Sequence, residues 1–411
     1  MGPVQYDVFF SISQTPVDGR TPSEAEMFAN FFAQVEAADA LGYGVAWVAE
    51  SHLSSQVQKG NPDPVIPHWE GEVGLNVDIL QLATHVFQRT RRIEVGSAIN
   101  NILCNGGPVA HAERLAAFLA LHGLDPAERR RIHLGFAGGR FDFMNRAYGV
   151  RPRNELERAA WGVIKGQVFA RAGQMFVRLL QGEILASDDV PPVVLRRELF
   201  RTEEDWKRTA ALAGVGEGDT IEIPPFFSFE KLKIVPQEFR RELLQLVVGS
   251  HDPAVQEALN AFAPVQVFNL SITRREVIED THRRMAAAYH ADGGPWQRGH
   301  MPRTVFVFHN EQEGLDPAAR CEAAGREARA ALGAYWKALD GTLDPKKVEG
   351  AADNALVGDA EAVAAQALER FHPDDRLMLW FDFFNHDNER VIANMRAFAE
   401  RVIPRIEAAR R

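Results

Sequence analysis

The stretch GYGVAWVAESHL, Gly42 to Leu53, decides how the chain is to be read. Its centre, residues 45–49, is apolar at consecutive positions, the pattern of a strand buried on both faces. It then ends abruptly in an acid, a hydroxyl and an imidazole, Glu50, Ser51 and His52. Upstream, PSEAEMFANFFAQVEAADALG places Phe28, Phe31, Phe32 and Val35 at helical spacing. Ser23 with Glu26 three residues later reads as an N-terminal cap, and Gly42 as the C-terminal one.

The alternation continues outward. Strands are expected at YDVFFSIS (6–13), RIEVGSAI (92–99) and RIHLGFA (131–137), with helices at 77–88 and 109–123 between them. The order β-α-β-α-β-α-β is that of a parallel sheet with right-handed crossovers. Polar residues collect after each strand: Ser13-Gln14, Glu50 to His52, Asn100-Asn101 and Gly138 to Arg140. In a barrel of this type those are the C-terminal ends, where ligands bind. The second half repeats the pattern less regularly, with strands at 243–250, 265–272, 304–310 and 376–383 and helices at 158–180 and 360–370. About eight strands result, and the fold class is α/β, a (β/α)8 TIM barrel with insertions, in one domain over 1–411. Residues 181–225 read as an irregular, polar insertion or lid. Residues 54–74, with NPDPVIP and His68-Trp69, read as a long loop at the active site.

Composition narrows the function. The chain has 411 residues, 46% hydrophobic and 25% charged, an ordinary globular balance. The net charge of −10 argues against sequence-independent binding of nucleic acid. Nothing has the roughly 18 consecutive apolar residues of a membrane span, and MGPVQYDVFF lacks the features of a secretory signal. Cys104 and Cys321 form no CxxC or CxxH unit, so neither a disulfide framework nor a zinc cluster is expected, and a cytoplasmic location fits. No metal site is expected.

The ordered set GYGVAWVAESHL, RRIEVGSAI, HAERLAAFLALHG, RIHLGFAGGR and FDFMNRAYGV resembles the bacterial luciferase-like, flavin-dependent monooxygenases. FEKLKIVPQEF, ALVGDAEAVAAQALERF and the C-terminal LMLWFDFFNHDNERVIANMRAFAERVIPRI extend the resemblance. It implies a barrel, a homodimer, and reduced FMN or less often a deazaflavin at the C-terminal rim. It implies O2 activation through a flavin C4a-peroxide, oxygen insertion into a small organic substrate, and FMNH2 supplied by a separate flavin reductase. In the luciferase proper a catalytic histidine follows the acid directly; that position is Ser51 here, and His52 matches the next one.

The resemblance assigns His52 and Glu50 to catalysis. It assigns Ala98, Ile99 and Asn100, with a cis Ala98–Ile99 peptide, to the back of the flavin ring. Gly138 stands where the family carries a flavin contact. Gly249, Ser250, His251 and Asp252, before a helix opening with Pro253, and Arg153 correspond to the FMN phosphate site. Structural readings compete at each: helix capping by Ser250 or Asp252, and a solvated loop arginine at Arg153. Two alternatives stand beside the monooxygenase: a deazaflavin-dependent oxidoreductase on the same barrel, and a non-catalytic flavin-binding partner subunit. The latter is motivated by Ser51 and by Ala137, which stands where the active chain of a luciferase has a cysteine.

Overall fold

Apolar strands without alternation can be buried only if helices cover the sheet on its outer side, and the computed structural model of the chain has that arrangement. It describes residues 5–61, 71–216, 218–338 and 353–410; His68 and Trp69 lie outside them. The first half runs β1 (Tyr6–Phe10), α1 (Glu24–Leu41), β2 (Val45–Val48), α2 (Ile79–Arg89), β3 (Glu94–Asn101), α3 (Gly107–His122), β4 (Ile132–Ala137), α4 (Asp142–Arg146), α5 (Glu155–Ala159) and α6 (Trp161–Leu180). The second runs β5 (Val193–Leu195), α7 (Glu203–Ala213), β6 (Ile221–Ile223), β7 (Leu244–Val248), α8 (Pro253–Asn260), β8 (Val265–Val267), α9 (Arg275–Ala288), β9 (Arg303–His309), α10 (Pro317–Ala338), β10 (Leu356–Gly358), α11 (Ala360–Arg370), β11 (Leu377–Trp380), α12 (Asn388–Ala397) and α13 (Ile403–Ala409).

The large sheet has the order β10-β9-β11-β1-β2-β3-β4-β7-β8, and its pairs are parallel. Between its two sides, Asn269 beyond β8 makes one parallel bridge to Arg303 at the start of β9. The seam of the barrel is therefore held by a single bridge, with the Asn269 N–H donating to Pro302 O and the Thr304 N–H to Asn269 O. Strand β10 is an addition alongside the outer half of β9.

Local signals are met where they were strongest. The Ser23 hydroxyl accepts the Glu26 N–H, and Gly42 closes α1 in the left-handed region at φ 87°. Three expectations need correction. The helix expected over 158–180 is broken at Ala160 into α5 and α6. The strand expected to reach Ser13 ends at Phe10, because Ile12 turns into the left-handed region at φ 43°. The described residues of 181–225 hold regular elements where an irregular stretch was expected: β5 and β6 pair antiparallel, and α7 between them buries Trp206, Thr209 and Ala210 at i, i+3 and i+4. The two strands have three residues each, too short for a period of two to show in the sequence. The closing helix opens into a π turn at Phe398–Val402 just before Pro404, whose missing N–H cannot complete an α-helical bond.

Inside the barrel the side chains stack in layers. Phe9, Val45, Trp47, Val247, Phe268 and Met378 fill the middle, and Ala49, Ala98, Ile99 and Trp380 rest on them at the mouth. Small residues make room for the large ones. A Cβ on Gly96 would lie 2.5 Å from the Trp47 ring, and one on Gly135 would lie 2.2 Å from Ser97 O on the neighbouring strand. The second obstacle is backbone and cannot rotate away. Gly135→Ala is therefore expected to destabilise the fold by about 1–3 kcal/mol, the usual range for overpacking. A denaturant midpoint equal to that of the parent protein would contradict this packing.

Candidate active site at the C-terminal rim

Strand β2 ends where the buried layer stops, so the next residues turn into the mouth. Glu50 and His52 meet there: His52 Nε2 is 2.9 Å from Glu50 Oε1, and both side chains are shielded from solvent. Asn100, at the end of β3, donates its amide to the same Glu50 oxygen at 2.6 Å. The Asn105 side-chain amide faces His52 Nδ1 at 3.1 Å. Cys104 lies beside it, its thiol donating to Asn101 O at 3.1 Å. Glu50 and His52 follow β2, while Asn100, Cys104 and Asn105 end or follow β3, and the parallel pairing of β2 with β3 brings the two sets together.

Burial opposes a charge on His52, but the Cys104 sulfur and the Glu50 carboxylate outweigh it and push its pKa up to about 10. The carboxylate and the sulfur thus favour a proton on the imidazole. A histidine whose folded pKa lies above its unfolded value, ordinarily about 6.5, stabilises the fold fully below that unfolded value. The contribution is lost as pH rises through about 10. Between pH 6.5 and 10 the parent protein is expected to lose stability relative to His52→Gln. Thermal midpoints of the two measured across that window test it; parallel curves would refute the assignment.

Two polar atoms in this group, Glu50 Oε2 and Asn100 Oδ1, are buried without a partner among the described residues. Buried polar groups are rarely left so, and here they border the mouth. The floor beside them is small: Ala49, Ala98, Ala137 and Gly249, from the ends of β2, β3, β4 and β7. A Cβ on Gly249 would stand 2.4 Å from Ile99 Cδ1 and 3.3 Å from Ala137 Cβ. The Ala98–Ile99 peptide is cis, and the β3–β4 register shifts between Ser97 and Asn100. Among the described residues the five non-glycine residues with positive φ, Ile12, Asp18, Leu53, Asn105 and Phe384, all lie in loops after β1, β2, β3 and β11. Strained backbone gathers at functional sites.

The other positions named from the sequence are placed differently. Gly138 packs between Phe169 and Leu103, and a Cβ there would crowd both. Ser250 Oγ accepts the Asp252 N–H, and Asp252 Oδ1 accepts the Ala254 N–H as the cap of α8. His251 Nε2 is 3.0 Å from Asn269 Oδ1. Arg153 faces the insertion: it chelates Glu157, donates to Pro224 O and Pro225 O, and lies 4.0 Å over the Phe226 ring. Its neighbour Phe227 fills the space over Gly107 at the start of α3.

Sequence reading missed Asp382. It follows β11 with Trp380, two residues earlier, on the same face, a period of two that LMLWFD displays. Burial pushes its pKa up to about 7, against the Ser11 N–H and the Trp380 indole, which pull it down. Among the described residues no group of three or more His, Cys, Asp or Glu is placed to hold a metal. No helix among them is long and apolar enough to cross a membrane.

Comparison with known proteins places this geometry. Residues 8–160 match the model of the family described as luciferase-like monooxygenase. A monooxygenase from Streptomyces bottropensis superposes with TM-score 0.64 at 18% identity, over 97% of this chain and 99% of its own. The oxygenating constituent of 3,6-diketocamphane monooxygenase from Pseudomonas putida, solved with FMN, gives 0.54 at 12%, over 98% and 99%. An F420-dependent secondary alcohol dehydrogenase, solved with an F420–acetone adduct, gives 0.52 at 14%, over 98% and 99%. Comparison with curated protein sequences gave no match. In sequence over residues 8–160, and in fold over nearly its whole length, the protein resembles the luciferase-like monooxygenases.

Proposed function

We propose that the protein is a flavin-dependent monooxygenase that uses reduced FMN and O2 to oxygenate a small organic substrate. The observation that carries this reading is the buried Glu50–His52–Asn100 group beside a floor of alanine and glycine. A planar ring fits over such a floor, and the unpartnered Glu50 Oε2 and Asn100 Oδ1 are acceptors for its N–H groups or for substrate. Ala98, Ile99 and Asn100 would support the ring. Ser250 would hold the phosphate: its oxygen already accepts the Asp252 N–H, which leaves its own proton to donate. The backbone at Gly249 and His251 would lie alongside. Asp252 would serve as the cap rather than as a phosphate contact, since its carboxylate occupies the helix end and would repel an anion. Arg153 would steady the insertion rather than the phosphate. Gly138 would serve the packing of Phe169 and Leu103 rather than the ring.

Reduced FMN, when bound, supplies the two electrons and the activation of O2. The chain supplies the proton and the dry site. His52 holds a proton on the ring nitrogen facing Glu50, which orients the imidazole and keeps it charged. In that state it can donate to an oxygen anion and recover its proton later. Phe226 and Phe227, just after the insertion, would cover the side of the mouth near α3 against water. The reductant would come from a separate flavin reductase, and the active form would be a homodimer in the cytoplasm.

The test is anaerobic titration with reduced FMN and, in parallel, with a reduced deazaflavin, followed by mixing with oxygen and substrate. Tight FMN binding and substrate-dependent oxygen uptake support the proposal. Preference for the deazaflavin without oxygen uptake supports a dehydrogenase or reductase instead. Flavin binding with no turnover under any substrate supports a partner subunit.

A further inference from the structure

The opposite side of the mouth, formed by the ends of β9 and β11, has no part in the mechanism above, and it is built differently. It is an aromatic wall. The Trp380 ring lies 4.4 Å from Phe9, 4.7 Å from Phe383, and 5.0 Å from Phe306, with which it is nearly parallel at 27°. Tyr335 stands edge-on to Phe383 at 5.2 Å, and Trp336 is 5.0 Å from Tyr335. The apolar surface continues through Phe384 to Phe141 and Phe143, at the start of α4. Trp380 belongs to both layers: it packs on this wall and on the barrel interior beside Ala98 and Ile99.

At the ends of β1 and β11, among the described residues, Asn385 Nδ2 and Ser13 Oγ are buried with no partner, and Trp380 Nε1 and Asp382 Oδ1 lack a close hydrogen bond although the indole is near enough to Asp382 to lower its pKa. Ser13 and Asn385 are 6% and 9% exposed. The other Asp382 oxygen receives a long 3.4 Å bond from the Ser11 N–H. One unpartnered atom could be a packing accident. Two N–H donors, a carboxylate and a hydroxyl together at the foot of one aromatic wall form a ligand's complement. An alkyl chain would satisfy none of them and would leave their desolvation uncompensated.

We infer that this wall is the substrate compartment and that it takes flat phenolic compounds, ring against the Trp380 side, with the phenol hydroxyl on Asp382 and an acceptor oxygen on Trp380 or Asn385. The inference rests on the reading of this rim as a flavin site and adds the substrate class. In the proton step the phenol O–H bond breaks and its proton moves to Asp382 Oδ1. The electron pair stays on the phenolate oxygen and spreads into the ring, which raises its reactivity toward an electrophilic oxygen donor. Asp382 is suited to receive that proton because burial places its pKa near neutrality. It would act opposite His52, so acid and base would stand on different strands.

The probes are 2-acetyl-1-naphthol, 2-acetylnaphthalene, which lacks the hydroxyl, and decanal, which lacks the ring. Binding to the full chain is followed by tryptophan fluorescence. Expected are at least tenfold tighter binding of the naphthol than of acetylnaphthalene, and weakest binding of decanal. Asp382→Asn should abolish the preference while keeping affinity for acetylnaphthalene. Trp380→Leu should weaken both aromatic probes about 3–10-fold, the value of one aromatic pair. Equal affinity for all three probes in the unaltered protein, which needs no variant to fold, would overturn the inference. So would a preference for the naphthol that survives in Asp382→Asn. FMN binding is titrated separately: FMN bound with no aromatic preference defeats this inference alone, and no FMN binding defeats the functional reading it rests on.

Discussion

His52→Ala is expected to lower turnover about 10²–10⁴-fold, the range for removing a positioned general acid. Binding of reduced FMN should be nearly unchanged. The imidazole is 4% exposed and held between Glu50 and Asn105, so alanine would leave Glu50 Oε1 with only the Asn100 amide. His52→Gln separates the two roles of the ring: an amide can bond Glu50 but cannot carry a titrating proton. Both variants should be slow, and the glutamine variant should be the more stable. Stopped-flow measurement of flavin reoxidation in the presence of substrate supplies the rate. Unaltered turnover in His52→Ala would remove His52 from the mechanism and move the proton-donor role to another group.

Asp7→Ala is expected to destabilise the protein by about 3–5 kcal/mol, as when one partner of a buried ion pair is deleted. Asp7 is 0% exposed and sits inside the closed end of the barrel. Its two oxygens accept from Arg376 Nε at 2.6 Å and Nη2 at 3.1 Å, from the Trp47 indole at 2.8 Å, and from the Val45 N–H at 3.1 Å. It therefore ties β1 to β2 and to the start of β11, residues 38 to 369 apart in sequence. Alanine would strand the guanidinium, the indole and one N–H at once. Arg376→Met in the Asp7→Ala background should recover part of the loss, because no buried cation then remains. Denaturant midpoints of the two variants decide it. A loss below about 0.5 kcal/mol, typical of surface changes, would show that this network does not hold the barrel end.

The two residue classes behind these predictions differ in how far sequence could reach them. Glu50 and His52 stand two positions apart after an obvious strand, so their candidacy was legible. Their partner Asn100 was legible as a strand-end residue, but not as a bond to Glu50. Asp382 was overlooked because its signal, Trp380 and Asp382 at alternate positions, sits in a run where nearly every residue is apolar and the alternation carries little contrast. Arg153 read as a loop cation open to an anion. Its actual partner, Glu157, lies only four residues on, and the carbonyls of Pro224 and Pro225 more than seventy.

What the sequence determined by itself was local. The apolar runs specified strands, the Ser23 and Gly42 caps bounded α1, and the strict β-α order specified parallel pairing, since each of these depends on contacts within a turn or on one crossover. Tertiary structure alone decided the rest. It set the single bridge at the Asn269–Arg303 seam, and it gathered Glu50, Asn100 and Asn105 around one imidazole. It also folded residues 181–225 onto α6 and stood an aromatic wall across from a floor of alanines. These depend on strands far apart in the chain becoming neighbours in a ring, and no short-range pattern encodes which distant side chains a ring brings face to face.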